Sequence, residues 1–123
     1  MAKKSALVIG IIFVLVAILG FIPGNGIVGE GALFDAGVVH SIVHLIFGIV
    51  LLAVASKPSA ASALKWVGII YLIVAILGFI WGSVLGIFAV NGADNLLHLV
   101  LGIVIAALGW SASKSSAPMA AQM

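Results

Sequence analysis

Four long apolar stretches, separated by short polar or glycine-rich segments, dominate the chain. They cover residues 6–22, 38–55, 64–81 and 96–110. A helix that crosses a bilayer needs about 17–25 mainly apolar residues, because the hydrocarbon core is roughly 30 Å thick. Inside that core, backbone amides must be bonded within a helix or a closed barrel, and these runs lack the alternation of barrel strands. The pattern therefore predicts an all-α fold with four transmembrane helices.

The apolar stretches form two copies of one helical hairpin. The sequence Val-Ala-Ile-Leu-Gly-Phe-Ile at residues 16–22 returns unchanged at 74–80, a sequence offset of 58. The sequence His-Leu-Ile-Phe-Gly-Ile-Val at 44–50 returns as His-Leu-Val-Leu-Gly-Ile-Val at 98–104, an offset of only 54. The difference (58 − 54) places a four-residue deletion in the loop of the second hairpin.

This repeat predicts the organisation of the chain. We expect a single four-helix domain over residues 1–110, with one repeat at about 6–56 and the other at about 63–111, followed by a flexible tail at 111–123. Each copy holds two spans, so both copies point the same way across the bilayer, as parallel repeats of membrane proteins do. The architecture is then an integral membrane four-helix bundle of two tandem hairpins.

Composition and charge agree with a membrane protein and indicate its orientation. Hydrophobic residues make up 65% of the chain and charged residues 7%, against about 25% charged in soluble domains. The five lysines fall at the two ends and in the middle connection, whereas the three acids fall in the other two loops: Lys3, Lys4, Lys57, Lys65 and Lys114 against Glu30, Asp35 and Asp94. Lysine excess marks the cytoplasmic side, so we expect both termini there.

The same counts exclude several classes of function. The net charge is only +2, without a clustered basic patch, which argues against a nucleic-acid partner. There is no cysteine, so disulfides and thiolate-bound metal clusters are excluded.

Four polar side chains coincide within or just before two of the predicted spans. His40 and His44 lie four residues apart on the second helix, and Asp94 and His98 lie four apart on the fourth. Residues at this spacing share one helix face. Polar groups inside a membrane are costly and therefore indicate a functional or packing role. If the two helices face each other, the four side chains meet in the outer part of the bundle.

One interpretation of this cluster is structural. The histidines would hydrogen-bond across the helix pair, and the small residues that continue each stripe, Gly48, Gly102 and Ala106, would let the helix backbones approach. Asn91 stands three residues before Asp94, the spacing of a capping box, so both residues are candidates for a helix cap.

Two other interpretations involve a ligand or an ion path. His40, His44, Asp94 and His98 form a plausible ligand set for a zinc-type ion, which accepts imidazole and carboxylate. Alternatively, His44 and His98 could hold a haem between two helices. A proton or ion path through the same groups is a third interpretation, although a four-helix unit would need an oligomer to form a pore.

Catalysis is not predicted. Ser41 neighbours His40, but adjacent positions on a helix do not face each other. Tyr71 corresponds to Phe13 in the repeat, so its position suits a core residue. We therefore expect no catalytic residues.

The polar stripes also resemble a known family. The sequence Asn-Gly-Ala-Asp-Asn-Leu-Leu-His at residues 91–98, together with the histidines and Gly48 of residues 40–48, is similar to the bacterial membrane proteins called domain of unknown function 4383. The resemblance extends from Gly10 to about Gly109. It implies four helices in the bacterial cytoplasmic membrane and no known mechanism.

The expected function is that of a non-enzymatic structural or assembly subunit in contact with the lipid bilayer. The glycine-notched faces suggest that it forms a homo-oligomer or packs into a larger membrane complex. A haem- or metal-binding module and an oligomeric transporter are the alternatives. The most economical expectation is that no cofactor is bound, with haem or zinc as the candidates otherwise.

Overall fold

The computed structural model describes the backbone of residues 1–122 and the side chains of residues 1–113. Over these residues the fold is all-α, with four helices: α1 (Ala2–Gly20), α2 (Val38–Val54), α3 (Ala60–Trp81) and α4 (Gly92–Gln122). Four two-residue strands lie in the connections: β1 (Val28–Gly29), β2 (Phe34–Asp35), β3 (Ser83–Val84) and β4 (Phe88–Ala89). The four predicted helices are therefore present, and the predicted loops contain short strands.

Three of the four helices are long and apolar enough to cross a membrane: α1, α3 and the part of α4 that covers residues 92–113. α2 has 17 residues, which is at the lower end of the length that spans a bilayer. α4 begins at Gly92, ahead of the predicted start at 96, because the Asn-Gly-Ala-Asp segment forms its first turn.

The predicted tail falls mostly on the end of α4. The backbone of α4 continues to Gln122, whereas Met123 and the side chain of Lys114 lie outside the described residues. The flexibility of residues 111–123 stays a prediction.

The helices pack as two antiparallel hairpins. The first hairpin consists of α1 and α2 with their connection at residues 21–37, and the second consists of α3 and α4 with their connection at residues 82–91. α1 packs mainly on α2, and α3 packs mainly on α4. α1 and α3 also contact each other, which joins the hairpins.

The core lies between the two hairpins, where buried apolar side chains of all four helices meet. Its members are Ala6, Phe13, Leu51, Ala60, Leu64, Val67, Tyr71 and Ile105. Phe13 of α1 stacks on Tyr71 of α3, with ring centroids 5.1 Å apart. This contact occupies the middle of the bundle and separates the polar cluster from the end of the molecule that carries Lys3 and Lys57.

The connections at residues 21–37 and 82–91, called the outer connections below, each contact the opposite hairpin. β1 pairs in parallel with β2, and β3 pairs antiparallel with β4. β2 packs on α4, and β4 packs on α2. The side chain of Asn91 donates a hydrogen bond to the Leu33 carbonyl, 2.9 Å away. The two connections therefore close the same end of the bundle, directly above the histidines.

Asn25 fixes the first connection to the end of α1. Its amide nitrogen donates to the carbonyls of Leu19 and Val28 at 2.9 and 2.8 Å. Its amide oxygen accepts from the backbone N–H of Ile27 and of Val28, both at 2.9 Å. One side chain thus supplies the bonds that a helix end and a tight turn would otherwise lack.

The second connection is shorter and begins at a glycine. Gly82 has a φ of 68°, a left-handed conformation that glycine adopts without steric cost. Its N–H bonds the Gly78 carbonyl at 2.8 Å and ends α3. The chain therefore turns at once into the hairpin of β3 and β4.

Candidate metal centre

The structure brings together the four polar side chains that the sequence places on α2 and α4. The ring centroids of His40 and His44 are 4.6 Å apart. His98 enters from α4, with its ring 5.3 Å from that of His40 and 5.9 Å from that of His44. All three histidines and Asp94 are buried, the most exposed being His44 at 5%. The cluster is thus enclosed within the bundle.

Asp94 lies between two of the histidines. Its Oδ2 atom is 3.2 Å from Nδ1 of His98, one turn further along α4, and 3.8 Å from Nε2 of His40 on α2. Both contacts are within ion-pair distance, but the first lacks the alignment of a hydrogen bond and the second is too long for one. Asp94 is therefore the acid placed nearest to the imidazoles of His40 and His98.

Most of the polar atoms in the cluster have no hydrogen-bond partner among the described residues. This holds for both ring nitrogens of His44, for at least one of His40, for Nδ1 of His98 and for Oδ2 of Asp94, while the Asp35 backbone lies beside His40. An unpaired buried polar group costs about 1–3 kcal/mol, and such groups are rare in native proteins. The structural interpretation needs hydrogen bonds between the histidines across the helices, and the described side chains do not make them.

The three imidazoles have the spacing of an ion-binding site. Each offers one nitrogen, and the three nitrogens lie within 4.8 Å of one another. In a tetrahedral zinc site with bonds of about 2.0 Å, ligand nitrogens are roughly 3.3 Å apart. Rotation of the rings that moves each nitrogen by about 1 Å would bring the three to that separation. The donor set and the spacing therefore fit a single ion.

A haem fits the same residues poorly. The rings of His44 and His98 are tilted by 43° with centroids 5.9 Å apart, so the fit depends on the space around them. The cavity beside them has a volume of about 170 Å³, close to the size that holds one benzene ring. A macrocycle of four pyrrole rings would have to displace the helices.

An aromatic wall surrounds the cluster, and sequence reasoning did not identify it. Phe88 of β4 stacks on His40 with centroids 4.5 Å apart. Tyr71 meets His98 edge to face at 4.7 Å, and Phe13 lies 6.0 Å from His44. The repeat could have pointed to Phe88, because Phe34 and Phe88 are separated by 54 residues, as His44 and His98 are. The two phenylalanines are therefore equivalent positions of the two copies.

The predicted cap residues lie at the start of α4. The side-chain oxygen of Asn91 accepts a hydrogen bond from the backbone N–H of Asp94 at 2.9 Å, as an N-cap does. The carboxylate of Asp94 is directed to the histidines, as described above. Its position in the first turn also complements the positive end of the helix dipole.

The predicted packing residues contact the partner helix of their own hairpin. Gly48 of α2 lies against Val14 of α1, and Gly102 of α4 lies against Leu72 of α3. Ala106 of α4 lies against Gly68 of α3. These notches are filled within the chain, so they leave no groove for a second copy at these positions. An oligomer or a larger complex stays a prediction.

Comparison with known proteins identifies the family. The sequence pattern of the family described as domain of unknown function (DUF4383) matches residues 3–111. The chain therefore belongs to this family, and the resemblance expected from the polar stripes is confirmed. No curated protein and no solved structure matches the chain.

Proposed function

From the geometry of the cluster and the family membership, we propose that this protein spans the bacterial cytoplasmic membrane four times and binds a zinc-type divalent ion through His40, His44 and His98. One observation carries the proposal: three buried imidazoles converge within 4.8 Å, and most of their nitrogens have no other partner among the described residues. Neutral imidazole is a preferred ligand of zinc and of its first-row neighbours.

The outward faces of the helices support a place in the membrane. Large apolar side chains are exposed along them, among them Leu15 at 59%, Ile76 at 55% and Ile103 at 55%. Contiguous apolar surface of this kind is unfavourable in water and favourable against lipid tails. We include α2 as the fourth span, since its 17 residues reach the minimum length.

The proposed orientation has both termini in the cytoplasm. The lysines lie at the end of the bundle opposite the histidine cluster, as the positive-inside rule requires. Trp66 of α3 and Trp110 of α4 are exposed near the lysine-bearing end of the bundle, by 63% and 43%, and Trp81 is exposed at the other end of α3, by 66%. Tryptophan is enriched at the two membrane interfaces. The metal site would then lie in the outer half of the bilayer.

Contacts between equivalent residues support the proposed repeat. Phe13 and Tyr71, which are equivalent in the first repeated block, stack on each other. His44 and His98, which are equivalent in the second block, have neighbouring rings. Residues near a two-fold axis contact their own counterparts. An approximate two-fold axis between the hairpins, along the membrane normal, accounts for both contacts.

The surroundings of the cluster favour binding over transport or catalysis. Between the histidines and the lysine-bearing end, the described core consists of apolar and aromatic side chains such as Phe47, Leu51 and Leu64, which offer no hydrophilic path. The hydroxyl of Ser41 donates to the Ala36 carbonyl at 3.5 Å instead of to a histidine. We therefore propose an ion-binding role without an enzymatic step.

Metal analysis of protein purified from its native membrane tests the proposal. We expect about one zinc-type ion per chain and no haem absorption band. The His44→Ala variant should lose the ion, because it removes one of three ligands. The Glu30→Gln variant is the matched control, since it removes a carboxylate of the outer connection and should keep the ion.

Replacement of the bound ion by cobalt reports on the ligand geometry of the site. Cobalt bound by three imidazoles in a tetrahedral site should give visible absorption that the His44→Ala variant lacks. A folded protein that contains no metal and takes up none, or one in which Glu30→Gln loses as much metal as His44→Ala, would overturn the proposal.

A further inference from the structure

A cavity of about 170 Å³ lies beside the histidine cluster, between the first outer connection and helices α1, α2 and α4. Its walls include Val16, Leu19, Ile27, Val28, Phe34 and Leu97, and His44 and Asp94 lie at its inner end. Ile27 is 51% exposed, whereas Ala36, which also lines the cavity, is fully buried. The cavity therefore leads from the protein surface to the cluster.

From this geometry we infer that the cavity binds a small uncharged molecule of about one aromatic ring, which lies against His44. The volume is close to that of an apolar protein cavity of roughly 150 Å³ that binds benzene. The wall is apolar apart from the two residues at its inner end. An anion would be repelled by the carboxylate of Asp94, and a cation would lose most of its hydration against walls that are otherwise apolar.

The contact between Phe88 and His40 is the counterpart of this cavity in the other copy of the repeat, and it indicates why a ring would fit the cavity. The ring of Phe88 covers His40 of α2, with centroids 4.5 Å apart. The residue equivalent to His40 in the second copy is Asp94, and its carboxylate is smaller than an imidazole. Phe34, the equivalent of Phe88, contributes to the cavity wall. A bound ring would occupy space that an imidazole fills in the other half of the molecule.

This inference does not depend on the bound ion. The cavity and the three nitrogens are adjacent but distinct: His44 offers one of the nitrogens and also lines the cavity, as does Asp94, whereas His40 and His98 do not line it. A ring in the cavity would lie between the protein surface and the ion site. Binding of the ring and binding of the ion can therefore succeed or fail separately.

The test locates a heavy-atom probe in crystals of the full chain. Crystals grown from a lipid phase are soaked with bromobenzene, with and without zinc, and bromine is found by its anomalous scattering. We expect a bromine peak in the cavity of the wild type. Val16→Phe should abolish the peak, because it adds a ring to the cavity wall. Val74→Phe, at the equivalent position of the second copy, should leave it unchanged.

A second pair of variants covers the outcome in which Val16→Phe does not fold. Leu19 lines the same cavity, so Leu19→Phe should also abolish the peak, whereas Leu77→Phe, at the equivalent position on α3, should not. The inference is overturned if the wild type shows bromine only on its lipid-facing surface. It is also overturned if folded Val16→Phe or Leu19→Phe keeps the peak in the cavity.

Discussion

The two hairpins share one design but differ in how closely their helices approach at one matched glycine, Gly10 in the first and Gly68 in the second. In the first hairpin, a Cβ atom on Gly10 would lie 3.0 Å from Cγ of the Leu52 side chain and 3.2 Å from the Gly48 carbonyl oxygen. In the second, a Cβ atom on the equivalent Gly68 would meet the backbone of Ala106, within 2.7 Å of its Cα atom. Ala106 occupies the position that Leu52 has in the first copy. The smaller side chain of Ala106 therefore lets α3 and α4 lie closer together at this position than α1 and α2 do.

The connections at the cluster end of the two hairpins also differ, and the first hairpin has the longer one. Its connection covers residues 21–37 and is organised by Asn25, whereas the second covers residues 82–91. At the cluster itself, His40 in one copy is matched by Asp94 in the other. If the two copies had kept identical residues here, position 94 would carry the same side chain as position 40. The divergence instead supplies one carboxylate among three imidazoles, which suits a divalent ion.

The largest expected effect concerns the close helix pair. Gly68→Ala should lower the free energy of unfolding by about 2–3 kcal/mol, because the new methyl group forces two backbones apart. Gly10→Ala should lower it by less than about 1 kcal/mol, since the Leu52 side chain can move and the Gly48 carbonyl oxygen, 3.2 Å from the new methyl group, needs only a small shift. Unfolding in mixed micelles, followed by circular dichroism, measures both. Equal losses would show that the hairpins do not differ in packing.

The next effect concerns the carboxylate that distinguishes the second copy. Asp94→Asn should weaken zinc binding roughly 10–100-fold, or about 1.4–2.7 kcal/mol, as the loss of a residue that orients a ligand does. The reason is the 3.2 Å contact with His98, which orients the imidazole and balances the charge of the ion. Competition with a chromogenic chelator measures the affinity.

Glu30→Gln is the control for that measurement. Glu30 is exposed on the first outer connection, residues 21–37. The loss of its carboxylate should leave zinc affinity within about twofold. If Asp94→Asn bound zinc as tightly as the wild type, Asp94 would have no part in the site.

The helices could be predicted because their signal is local. The apolar stretch at 38–55 corresponds closely to α2 at Val38–Val54. The spacing of His40 and His44 fixes their shared face without knowledge of any neighbour. Length, apolar content and helical periodicity depend on consecutive residues, so they survive whatever the tertiary arrangement is.

The contacts between elements could not be predicted in the same way. The spacing of Gly48 and Gly102 suggested that α2 and α4 approach along these residues, yet each glycine lies against the other helix of its own hairpin. The crossing of β4 onto α2, which places Phe88 on His40, also depends on residues far apart in sequence. Hydrophobic pattern alone does not select among such partners, because all four helices are apolar on most sides.

The smallest expected effect tests whether the two outer connections are interchangeable. Phe88→Ala removes the ring that stacks on His40, and stacked aromatic pairs contribute about 0.5–1.5 kcal/mol beyond the burial of their area. Phe34→Ala removes the equivalent ring, which lines the cavity and has no stacked imidazole beneath it, since Asp94 replaces the histidine there. Phe88→Ala should therefore cost about 1 kcal/mol more in the free energy of unfolding, measured in the same mixed micelles. Equal costs would mean that the stack on His40 adds nothing to burial, and a larger cost for Phe34→Ala would mean that the first connection, rather than the second, holds the cluster closed.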